Sequence, residues 1–124
     1  MFRGLKFGGG RFYIGRMLLD RSTFKNEEKK LKRHYKEKEM LEKIILLIKE
    51  SSSYDELVIN PFSKMYGFEI LRYDMSGYYS FNLCKNGGMI RLICRIEKEK
   101  NLVILEYITM NHYEDFKRMK KGCD

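Results

Sequence analysis

A carboxylate at Glu69, arginines at Arg91 and Arg95, and a histidine followed by a tyrosine at His112-Tyr113 occur in that order along one stretch of the chain. Such a set can cleave RNA without a metal. A carboxylate base removes the proton of a 2′-hydroxyl as it attacks the adjacent 3′-phosphate, and an imidazole acid on the opposite side delivers a proton to the leaving 5′-oxygen. Guanidiniums on neighbouring same-face positions can hold the phosphate bidentately and offset the charge that develops on pentavalent phosphorus. Nothing in the scheme calls for a metal or a cofactor.

These groups need a scaffold, and the sequence offers consecutive short strands. In residues 89–97, Ile90, Leu92, Cys94 and Ile96 alternate with Arg91 and Arg95, so the apolar set should meet helices while both arginines look out from an open face. Read the other way, arginines on an exposed sheet supply solubility and surface pairing with Glu69 or Glu97. Further strands are expected over Gly67–Tyr73, Tyr78–Cys84 and Leu102–Thr109, joined by short turns as an antiparallel meander. Glu69 is the one carboxylate inside the otherwise apolar run Phe68-Glu69-Ile70-Leu71.

Ahead of the meander, residues 12–19 read as a first strand and Asp20–Thr23 as a source of N-caps. From Phe24 to Glu50 there is no proline or glycine, and Leu41, Ile44, Ile45 and Ile48 recur at helical spacing. This predicts one amphipathic helix, or an antiparallel pair broken near His34-Tyr35. Its polar face carries Lys29, Lys30, Lys32, Arg33, Lys36 and Lys38, a solvated face or a contact for a nucleic-acid backbone. Tyr54–Met65, with the sole proline, reads as a connecting loop. Residues 1–11, with a Gly8-Gly9-Gly10 triplet, are expected to form a flexible arm, and residues 113–121 a short basic helix. The fold class is therefore α+β: two N-terminal helices on one face of a small, curved, mostly antiparallel sheet, with a short C-terminal helix.

The chain has 124 residues, enough for a single domain with one core. Lys and Arg total 25 against 17 Asp and Glu, a net charge of +8 that suits a polyanionic partner. The three cysteines lack the spacing of a tetrahedral zinc site and read as reduced thiols. There is no signal-like h-region and no run of ~20 apolar residues, so no membrane role is expected and the cytoplasm is the expected location.

The order of motifs resembles a known family. The run from Gly67 to Ser80, with Glu69, Leu71, Arg72, Asp74, Ser76, Gly77 and Tyr78, is similar to the "E-x-L-K-x-D-L-S-G-Y-W-S" stretch of YoeB-type toxins in the RelE/ParE superfamily. Ile90-Arg91-Leu92-Ile93-Cys94 is similar to their "H-R-L-V-Y" strand, and His112-Tyr113 to their closing "H-Y". The resemblance spans roughly residues 12–113. Phe81-Asn82 stand where that family has two arginines, Cys94 stands for a tyrosine, and residues 114–124 form a basic extension beyond the usual end.

The resemblance implies a toxin of a toxin-antitoxin pair, a ribosome-dependent mRNA endonuclease held inactive by a cognate antitoxin protein. Carried over by position, Glu69 is the general base, Arg91 the phosphate clamp, His112 the general acid, and Tyr113 orients substrate or stacks on a base. Arg72 could touch backbone phosphate. Arg95 stands on the same face as Arg91, and Lys117 and Arg118 in the extension could reach ribosomal RNA. Assembly as a homodimer or as a toxin-antitoxin hetero-oligomer is left open. Two other readings stand beside this one: a binding-only inhibitor like the gyrase-directed ParE branch, and an inactive RNA-binding member of the superfamily.

Overall fold

Asp20, Phe24 and Leu31 mark a chain that leaves a short strand, turns, and brings its first helical segment back under the sheet. In the computed structural model, which describes residues 16–84 and 88–110, strand β1 (Leu18–Asp20) precedes helix α1 (Lys25–Glu28). A 3-10 turn over Lys29–Leu31 follows, and His34, whose ψ of 74° is not helical, separates it from α2 (Tyr35–Glu50). The long Lys/Glu-rich segment is thus two helices broken at the expected place, the first only one turn long. Residues 12–15 of the expected first strand, the arm of residues 1–11 and the C-terminal helix lie outside the described residues.

Strands β2 (Glu69–Ile70), β3 (Tyr78–Asn82), β4 (Arg91–Glu97) and β5 (Leu102–Thr109) complete a five-stranded sheet of order β1-β5-β4-β3-β2. The last four pair antiparallel, whereas β1 pairs parallel with β5. The α+β class and the mostly antiparallel sheet therefore agree with the sequence reading. β2 is much shorter than expected because left-handed backbone stops it at both sides: φ is 72° at Gly67 and 61° at Tyr73. A Cβ at Gly67 would also stand 2.8 Å from the Asn82 Cβ, so only glycine fits there.

Tyr54–Met65, expected as a loop, instead forms two helices, α3 (Tyr54–Ile59) and α4 (Pro61–Met65). Each is too short to show a period but carries its own start signal. The Ser53 side chain accepts from the Glu56 backbone N–H, the Glu56 carboxylate accepts from the Ser52 N–H, and Asn60 caps a helix with Pro61 in its first turn.

The core lies between α2 and the covered face of the sheet. Met40, Leu41, Ile44, Ile45, Leu47 and Ile48 are buried against Phe81, Leu92, Cys94 and Leu105, with Phe24, Leu31 and Leu57 closing the sides. Each such side chain contributes about 1.5–3 kcal/mol through burial. The free margin of β5 is completed by α1 rather than by a strand. The Ile108 N–H donates to Glu27 Oε1 at 2.9 Å, and the Ile108 carbonyl accepts from Lys30 Nζ at 3.0 Å. Lys30, grouped by sequence with the solvated or nucleic-acid-facing lysines, is thereby committed to the sheet, and a 2.8 Å ion pair joins it to Glu27. Among the described residues no helix is long and apolar enough to cross a membrane.

Candidate functional site

Cross-strand register fixes what stands side by side on the face turned away from α2. One row runs Glu69, Ser80, Ile93, Tyr107 across β2, β3, β4 and β5. A second runs Asn82, Arg91, Thr109 across β3, β4 and β5. Glu69 and Arg91 thus share a face, two strands and two residues apart. With strands about 4.8 Å apart and a rise of about 3.4 Å per residue, their Cα atoms stand roughly 12 Å from each other. A phosphate between them is within joint reach of an exposed carboxylate and a half-buried guanidinium.

Arg91 and Arg95 do share this face, but they are not adjacent on it. Ile93 lies between them, fully buried, in a small second cluster with Leu71, flanked by Met75, Tyr78 and Tyr107. That corrects the expectation of two guanidiniums on neighbouring same-face positions. Arg95 is also held locally: its Nε donates to Glu106 at 2.6 Å, and Glu97 lies 3.8 Å from its Nη1. The hydrogen bond to Glu106 raises the guanidinium's pKa above its ordinary value, against a smaller opposing effect of desolvation. Glu106 reaches it because β4 and β5 change register between Ile93 and Cys94. Tyr107 faces Ile93 and Leu105 faces Cys94, leaving Glu106 as the extra residue of a bulge.

Arg91 Nη1 donates a long hydrogen bond to the Gly88 carbonyl at 3.5 Å. Beside it in register, Thr109 is buried, and its Oγ1 has no hydrogen-bond partner among the described residues. Arg72, exposed, caps the 3-10 turn over Tyr73–Met75 that follows β2. His112, Tyr113, Lys117 and Arg118 lie outside the described residues, so the acid and the basic extension have no described position relative to Glu69.

No family model matches the sequence, and no curated protein matches it. Among solved structures, the chain is similar to the YoeB-YefM complex from Staphylococcus aureus, at 13% identity, covering 81% of this chain and all of that one, with a TM-score of 0.47.

The three positions at which the sequence differs from the YoeB-type motifs it resembles separate by face. Phe81 and Cys94 point into the core, where both are fully buried, and only Asn82 stands on the open face, opposite Arg91. Burial pushes the Cys94 thiol up to about 12, with Glu106 adding to the effect, so it is a neutral packing group. The side chain at position 94 therefore belongs to the core and not to the open face.

A hollow of about 380 Å³ lies between α2 and the β3–β4 connection, lined by Lys36, Glu37, Met40, Leu83 and Cys84 among others. Cys84 Sγ stands 3.6 Å from a Glu37 oxygen. Burial, aided by Glu37, pushes this thiol's pKa up against weaker lowering influences. Among the described residues no group of three or more His, Cys, Asp and Glu side chains is placed to hold a metal ion.

Two features of the open face escaped the sequence reading. The Ile93 cluster draws on Leu71 just past β2, on Met75 in the 3-10 turn, and on β3, β4 and β5, and no local period marks it. Glu106 became Arg95's partner only through the bulge, where simple alternation fails.

Proposed function

We propose that this chain is the toxin of a toxin-antitoxin pair, an endoribonuclease that cuts mRNA on the ribosome by 2′-hydroxyl attack. The observation that carries the reading is the placement of Glu69 and Arg91 on one face of the sheet, the face turned away from α2, two strands apart, in a chain of net charge +8. The motif order resembling YoeB-type toxins supports it. In this mechanism Glu69 takes the 2′-hydroxyl proton, and Arg91 binds the scissile phosphate and stabilises the charge added in the transition state. His112 protonates the leaving 5′-oxygen and Tyr113 orients the substrate, leaving a 2′,3′-cyclic phosphate. Arg72 contacts the backbone on the β2 side, and Lys117 and Arg118 extend the contact with RNA. Arg95, already matched by Glu106 and Glu97, holds the shape of the open face rather than a phosphate. The partners of this reading are a cognate antitoxin protein, the ribosome and mRNA, in the cytoplasm.

The reading is tested by induced expression without antitoxin. Glu69→Gln, Arg91→Ala and His112→Gln should each relieve growth arrest while the purified variants keep the parental melting temperature. Arrest unchanged by all three would refute the assignment.

A further inference from the structure

Tyr73 is the most exposed of the large hydrophobic side chains on the described surface, at 91%, and its backbone sits at φ 61°, a region that disfavours side chains other than glycine, asparagine and aspartate. Strain of this kind persists where the surroundings over-determine it. Here they do. The Leu71 N–H donates to the Tyr78 carbonyl at 3.0 Å, Met75 N–H to the Arg72 carbonyl at 3.1 Å, and Ser76 N–H to the Tyr73 carbonyl at 3.0 Å. Leu71 and Met75, on either side of Tyr73, are both anchored in the Ile93 cluster of the open face.

A tight turn alone would be better served by asparagine or glycine, and a tyrosine that only packed would not be left in solvent. The turn instead fixes the backbone that carries a solvent-exposed aromatic ring, next to Arg72 and four residues beyond Glu69. The chain between them spans at most about 14 Å. We infer that Tyr73 is a fixed platform on which a nucleobase close to the scissile phosphate stacks, its position set by the strained turn. This rests on the RNA-cleaving reading above and adds to it a determinant of where the strand is gripped. Stacking on a ring tolerates any base, so the platform positions the RNA rather than reading its sequence.

The test uses the full chain and ribosomes programmed with a short mRNA, in a series where each nucleotide around the cut is replaced in turn by an abasic one. Tyr73→Asn removes the ring but suits the left-handed turn, and it should melt no lower than the parent. It should cleave intact mRNA about five- to a hundredfold more slowly, the usual worth of one base-aromatic stack. One abasic position should slow the parent by a similar factor yet slow Tyr73→Asn no further, and Tyr73→Phe should recover most of the loss. Parental rates for Tyr73→Asn, equal sensitivity of both proteins to every abasic position, or a parent sensitive to none would overturn the inference while leaving the nuclease reading intact. A parent that leaves the mRNA uncut would overturn both.

Discussion

On its covered face the sheet presents Phe81, Leu92, Cys94 and Leu105 to α2, all fully buried, whereas its open face sets Glu69, Tyr78, Arg91 and Arg95 around a small apolar cluster of Leu71 and Ile93. The same strands build both. The covered face gains stability from many apolar contacts between distant elements. The open face buries less apolar surface and carries paired charges, as Arg95 with Glu106. Substitutions on the first face should therefore be read out in folding, and on the second in chemistry.

The sharpest break between the faces should come from Ile44→Ala set against Arg91→Ala. Ile44 is fully buried in α2, and truncating it should cost about 2–5 kcal/mol in denaturant unfolding. Arg91→Ala should leave the unfolding midpoint nearly unchanged while lowering single-turnover cleavage about 10²–10³-fold. Equal losses of stability for both variants would erase the distinction.

A smaller effect is expected at the margin of β5. Glu27→Ala strands the Ile108 N–H and removes the carboxylate of the ion pair with Lys30, and should cost about 1–3 kcal/mol by the same unfolding measurement. Breaking the Arg95–Glu106 pair should cost less, about 0.2–1 kcal/mol, because Arg95 is 42% exposed and water screens it. A double-mutant cycle on each pair ranks them, and a larger coupling for Arg95–Glu106 would mean the open face is better packed than described.

The weakest expected effect is alkaline. Cys94 titrates near 12 in the folded chain against an ordinary 9.0, so the unfolded chain ionises first as pH rises. Stability is fully present below about pH 9 and is lost as pH climbs toward about 12. Tyr79, pushed from 10.0 to about 12 by burial and a hydrogen bond with Tyr54, adds in the same direction at higher pH. The fall in melting temperature between about pH 9 and pH 10 should therefore be shallower in Cys94→Ala than in the parent.

What could be read from the sequence divides along the same line. Leu92, Cys94 and Ile96 alternate cleanly against a helix whose apolar residues keep a helical period, so the covered face was legible. The parallel pairing of β1 with β5 was not, because it joins residues far apart in the chain with no shared pattern. Nor were α3 and α4, where the cap residues Ser53 and Asn60 were present but six- and five-residue helices show no period. On the open face, alternation placed Arg91 and Arg95 together, yet it could not foresee that Ile93 between the arginines would be buried with Leu71. It also could not foresee a bulge turning Glu106 toward Arg95.

The central claim, that the open face carries out 2′-hydroxyl attack, is tested most directly by the 3′ ends of mRNA cut by the purified protein on programmed ribosomes. The expected result is a 2′,3′-cyclic phosphate at the cut, with cleavage abolished by one 2′-deoxy substitution at the nucleotide 5′ to it. A 3′-hydroxyl end, or undiminished cutting of the deoxy-substituted mRNA, would contradict the account.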